Sequence, residues 1–80
     1  MNERTEYLGQ RVELRQKRKI LAVDVEALRD RLRGRLNPIT ETGDLDGDGI
    51  LDLAMSLAQR LVELKALDVK LGKLAEILGD

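Results

Sequence analysis

Apolar residues recur along the chain at alternating three- and four-residue steps in two long segments. In the first, Leu14, Leu21, Val25, Leu28 and Leu32 form the stripe of a core-facing helix. The segment runs from about Asn2, a suitable N-cap, to Leu36. Asn37-Pro38 ends it, because the residue before a proline is pushed out of the α region. In the second, Ile50, Ala54, Leu57, Leu61, Leu64, Leu71, Ala75 and Leu78 keep the same spacing, and Gly79 stands where a C′ glycine belongs. Gly72 is an interior weak point of that helix, costing about 1 kcal/mol relative to alanine. No strand alternation and no internal repeat interrupts the pattern. The expected fold is all-α: an antiparallel two-helix hairpin, coiled-coil-like, forming a single domain over residues 1–80. Its helices cover about 2–36 and 50–78, and its loop about 37–49.

Folding the second segment back on the first sets Leu28 opposite Leu57, Val25 opposite Leu61 and Leu21 opposite Leu64. Leu14 then faces Leu71, Arg11 faces Ala75 and Tyr7 faces Leu78. One layer breaks the apolar rule from both sides, Arg18 opposite Asp68. Two interruptions falling in one layer point to an ion pair that fixes the register. Such a pair acts on specificity more than on stability, since desolvation offsets its Coulomb gain.

The second helix carries more apolar surface than one neighbour can cover. Leu53, Leu67 and Leu74 flank its stripe, and Met55, Val62 and Val69 make a further seven-spaced row. Ile20, Val23 and Ala27 lie opposite the stripe of the first helix. A helix apolar around most of its circumference expects contacts on several sides. A homodimeric four-helix bundle supplies them. A groove for a foreign protein partner is the other way to cover these faces.

Composition narrows the means of stabilisation. Eighty residues bury only about 60–70% of their unfolded surface, so such scaffolds need a staple. The chain has no cysteine, which excludes disulfides. A metal or a second chain remains. The net charge of −1 hides an asymmetry: residues 1–36 carry ten Lys/Arg and six Asp/Glu, residues 37–80 four and nine. The polar start MNERTEYLGQ is not followed by an apolar run, so neither a signal peptide nor a membrane span is expected, and a cytoplasmic location is the default expectation.

The loop carries the clearest chemistry. Gly43-Asp44-Leu45-Asp46-Gly47-Asp48-Gly49-Ile50-Leu51-Asp52 places four carboxylates in nine residues, with no Lys or Arg between Asn37 and Gln59. Each close pair costs on the order of 1 kcal/mol even in water unless a cation intervenes. Calcium takes six to eight oxygens at about 2.3–2.6 Å in a flexible cage, whereas magnesium demands stricter octahedral geometry and is the less suited ion. Alternate residues of a tight loop turn their side chains to one centre. Gly49 is expected to permit a sharp reversal that aims the Ile50 carbonyl inward. The competing structural reading is an Asp/Gly turn in which Asp48 or Gly49 caps the second helix and Asp52 favours its N-terminal dipole.

Asp44-Leu45-Asp46-Gly47-Asp48-Gly49 resembles the opening of an EF-hand or dockerin-type calcium loop. The longer run DLDGDGILDLA is similar to the calcium loop of FG-GAP (integrin propeller) repeats. That resemblance implies ligands at Asp44, Asp46, Asp48, the Ile50 carbonyl and Asp52. It covers about a dozen residues. The bidentate glutamate that closes an EF-hand loop is replaced by Met55, no helix abuts Asp44, and a helix is expected where the FG-GAP family has a strand. The resemblance implies a site, not a fold.

Nucleic-acid binding is the alternative function class. Arg11, Arg15, Lys17, Arg18 and Lys19 form a basic cluster, and Arg29, Arg31, Arg33 and Arg35 a second, suited to phosphates. The slightly acidic net charge and the lack of any aromatic platform beyond Tyr7 weigh against it. Catalysis is not expected: there is no His or Cys, and Ser56, the only serine, has no base near it in sequence. The expected function is a non-enzymatic assembly or interaction module with a cation-stabilised tip.

Overall fold

The computed structural model describes residues 2–79. Helix α1 spans Glu3–Arg35 and helix α2 spans Gly47–Leu78, with one 3-10 turn at Thr42–Asp44 between them. The two helices pack on each other, so the described residues form an all-α hairpin without strands. The hairpin measures 62 × 17 × 14 Å, with a radius of gyration of 18.0 Å. A compact chain of this length would have a radius near 12 Å. The molecule is a rod with a single seam and no central core.

Local chemistry sets the helix ends. Asn2 caps α1, its side chain accepting from the Thr5 N–H at 2.8 Å. Glu3 and Glu6 in the first turn and Arg33 and Arg35 in the last complement the helix dipole. Leu36 closes α1 by donating its N–H to the Leu32 and Arg33 carbonyls. The chain then turns at Asn37, whose side chain accepts from the Ile39 N–H and whose carbonyl accepts from Thr40. At the other end Gly79 adopts φ 77°, the left-handed C-cap that glycine takes without strain. The Arg4 guanidinium donates to the Leu78 carbonyl at 3.2 Å, tying the open end of the hairpin together.

The seam of α1 runs through Tyr7, Arg11, Leu14, Arg18, Leu21, Val25, Leu28 and Leu32, all buried or half-buried. This is the expected stripe. The seam of α2 keeps seven of the eight expected positions, Ile50, Ala54, Leu57, Leu64, Leu71, Ala75 and Leu78, and widens on one side to take in Leu53, Leu67 and Leu74. Leu53, Leu74 and Leu78 are its buried residues, Leu57, Leu64, Leu67 and Leu71 are half-buried, and Leu61 is 37% exposed. The widening has a physical consequence. Turning Leu53, Leu67 and Leu74 toward α1 moves Asp68 to the seam's edge. There it meets Arg18 without giving up all its water, which avoids the desolvation penalty of a central ion pair.

The second boundary also differs. The helix expected from Ile50 begins at Gly47, and the connection is residues 36–46, not 37–49. Asp46 is responsible: its side chain accepts from the Gly49 N–H at 3.0 Å, a cap that starts the helix three residues ahead of the expected position.

Candidate cation-binding loop and flanking charges

Capping distributes the predicted ligands over three local structures. Asp44 ends the 3-10 turn, Asp46 is the N-cap of α2, and Asp48 lies in the first helical turn. Ile50 and Asp52 lie inside the helix, the Ile50 N–H bonded to the Asp46 carbonyl at 2.9 Å. Helical backbone at Gly49 removes the reversal expected there; φ is positive only at Gly79. The Ile50 carbonyl therefore points along the helix and not into a loop. Among the described residues no three acidic, His or Cys side chains are grouped to hold a metal ion. The residues do not form a cation cage in this conformation.

The Asp46 carboxylate has two tasks. One oxygen accepts from the Gly49 N–H; the other pairs with the Arg35 guanidinium at 2.8 Å. Arg35 is the residue that the sequence reading of this loop lacked. It lies outside the cation-free stretch in sequence, but it continues the seven-residue spacing of Tyr7, Leu14, Leu21 and Leu28, which aims it at the start of α2. Arg31 and Arg35 also line a cleft of about 280 Å³ at the tip, with Gly49, Asp52, Leu53 and Ser56. The carboxylates of Asp44, Asp48 and Asp52 make no hydrogen bond or ion pair with the described residues.

Arg18 and Asp68 meet as the register required. The guanidinium grips the carboxylate at two points, through Nε to Oδ1 and through Nη2 to Oδ2 at 3.3 Å. The side chains remain 41% and 48% exposed, so the pair is a clasp across the seam and not a buried layer. The Arg18 hydrogen bond, helped by its charge and opposed by partial desolvation, holds the Asp68 carboxyl below the usual aspartate range. The same hydrogen bond and the Asp68 charge raise Arg18.

The basic cluster divides. Arg11 and Arg18 are half-buried in the seam, and Arg18 is committed to Asp68. Lys17 turns to one flank, where it lines a cleft of about 390 Å³ with Leu21, Glu63, Ala66, Leu67 and Lys70. Arg15 and Lys19, one helical turn apart, are exposed on the other side. Arg11, Arg15, Arg18 and Lys19 fall within about 100° of one another around α1, and Lys17 falls outside that arc. No helix among the described residues is long and apolar enough to cross a membrane. No family model, curated protein or solved structure matches the chain.

Proposed function

We propose that the chain is a non-enzymatic assembly module, a helical hairpin that pairs with a second copy into an assembly of four helices. One observation carries this reading. Only Leu21, Leu53, Leu74 and Leu78 are buried among the described residues, while Leu51, Met55, Val62, Val69 and Ile77 on α2 alone are more than half exposed. A seam this thin supplies little of the few kcal/mol that a small fold requires, and pairing offsets the deficit by burying the second face. Size-exclusion chromatography with light scattering tests the reading. A mass of twice 9.0 kDa is expected. A monomer at all concentrations overturns it.

Calcium uptake at the tip is a second component of the proposal. It is supported by the spacing of Asp44, Asp46, Asp48, Ile50 and Asp52 and by the three partnerless carboxylates among them. Gathering these groups requires the first turn of α2, from Gly47 to Ile50, to unwind and Asp46 to release both Gly49 and Arg35. The ion then stabilises an alternative tip, at the cost of a cap and an ion pair. Titration calorimetry with calcium should show uptake that disappears in Asp46→Ala; a flat trace at millimolar calcium sinks this component and leaves the assembly reading standing.

A further inference from the structure

The outward side of α2 carries a second seam as regular as the one it turns to α1. Leu51, Met55, Ala58, Val62, Lys65 and Val69 follow one another at alternating steps of four and three residues. At 100° per residue this row lies roughly opposite the inner seam of Leu53, Leu57, Leu64 and Leu71. Its members are all exposed, Val62 to 70%. On α1 the comparable apolar run is only Ile20, Val23 and Ala27, bounded along that face by Gln16 and Asp30, and it spans about 10 Å.

Charge selects the occupant and its direction. The outer face of α2 carries Asp48 at its start, with Asp52 at its edge, and Lys65 past its midpoint, followed by Lys73 and Glu76. Asp48, Asp52 and Lys65 have no side-chain partner among the described residues. From Asp48 to Lys65 the face runs from an acid to a base, and that stretch is complementary to its own reverse. A parallel second copy would set Asp48 beside Asp48 and Lys65 beside Lys65; an antiparallel one can set Asp48 against Lys65.

We infer that the outer seam of α2 docks on the same seam of a second copy, antiparallel, about a two-fold axis between Met55 and Ala58. This rests on the assembly reading and specifies its geometry as a row of four helices, the two α2 helices side by side between the two α1 helices, since the docking face lies opposite the one that meets α1. In this register Leu51 packs on Val62 of the second copy, Met55 packs on Ala58, and Asp48 pairs with Lys65, each contact occurring twice by symmetry. Lys65, the one charge in the seam, thereby finds a partner. A shift by one heptad sets Lys65 against Met55 and loses both ion pairs. Ala58 stands nearest the axis, where a small side chain lets the helices approach. The helices overlap over residues 47–66, about 30 Å, and Glu76 falls beyond the start of the partner's helix.

The chain has no cysteine, so introduced thiols report contacts cleanly. Leu51→Cys mixed with Val62→Cys should give a cross-linked dimer under mild oxidation, and neither variant should cross-link to itself. Val62→Glu should elute as a monomer with its helical circular dichroism intact, while Val23→Glu stays dimeric. Wild-type dimer with Leu51→Cys self-linking, with Ala58→Cys and Val62→Cys linking in place of the expected pair, or with Val23→Glu dissociating, overturns this geometry but not assembly. Wild-type monomer overturns both. Should Val62→Glu fail to fold, the cross-linking pattern alone decides.

Discussion

The Asp46 carboxylate occupies the space that a β-carbon at Gly49 would need. A β-carbon at Gly49 would stand 2.9 Å from Asp46 Cγ and collide with its Oδ2. The glycine is therefore explained by close approach of the cap, not by an unusual backbone angle. Alanine at an open helical glycine gains about 1 kcal/mol, and Gly72, with nothing within 4 Å of its would-be β-carbon, is such a site. Gly72→Ala should raise the thermal midpoint by about 4–8 °C. Gly49→Ala should fail to do so, because displacing Asp46 forfeits a cap worth about 1 kcal/mol. With Asp46→Ala already in place, Gly49→Ala should become stabilising. Urea melts of the four variants measure this coupling, and additive effects would show that the close approach carries no energetic weight.

The sequence made the hairpin legible because its signals are local. A three-four apolar spacing, an asparagine before the first helix, a proline after it and a glycine past the second each act within a few residues. The Arg18–Asp68 clasp was also legible, since both residues interrupt the apolar pattern at one level. The deep burial of Leu53 and Leu74 was not, because they and Leu67 match the helical period as well as the neighbouring expected stripe does, and two adjacent rows on one helix read alike in sequence. The conformation of the tip was not legible either. Asp46 serves equally as a calcium ligand or as an N-cap, and Arg35, which engages it, arrives from the other helix.

Breaking the clasp should be cheap in stability and visible in register. Both side chains are about half exposed, so Asp68→Ala should lower the midpoint by less than about 5 °C. Arg18→Asp sets two carboxylates together and should cost more, and the swap Arg18→Asp with Asp68→Arg should recover most of the loss. The pH dependence has a definite sign. Asp68 titrates lower when folded than when unfolded, so its contribution is present above the unfolded value of about 3.9 and vanishes as pH falls through the folded value. Wild type and Asp68→Asn should converge in stability below that range. A constant gap down to strong acid would contradict the hydrogen bond as the cause.

Core truncation should discriminate the seam that forms from the one that was expected. Leu74 is 5% exposed and Leu61 37%. Leu74→Ala should cost about 2–3 kcal/mol, at the low end for buried leucine because so thin a seam relaxes readily, and Leu61→Ala distinctly less. Chemical denaturation of the two variants measures the difference, and equal losses would place both rows in the interface.

Arg35 and calcium compete for the same carboxylate. Replacing Arg35 with glutamine removes the ion pair to Asp46 and leaves three partnerless acids beside it. Arg35→Gln should therefore lower apo stability slightly and strengthen calcium uptake at the tip. Calorimetry on the variant and the wild type checks this, and unchanged affinity would show that Arg35 does not oppose the ion.

Asp48 links the tip to assembly, because it is claimed by calcium at the tip and by Lys65 of a second copy on the outer seam. The two claims exclude one another on geometric grounds: a ligating Asp48 requires the first turn of α2 to unwind, and the ion pair requires that turn to be helical. Calcium should therefore weaken dimerisation, and dimerisation should weaken calcium uptake by the same factor, as linkage demands. Asp48→Asn removes the charge from both partners at once. In that variant the dimer should be weaker in chelator, by no more than about thirtyfold for two exposed ion pairs, and the remaining affinity should respond less to calcium. Light scattering across a dilution series, with calcium and with chelator, measures all four states. A dimer that calcium tightens would show that the ordered tip supports assembly, and would refute competition at Asp48.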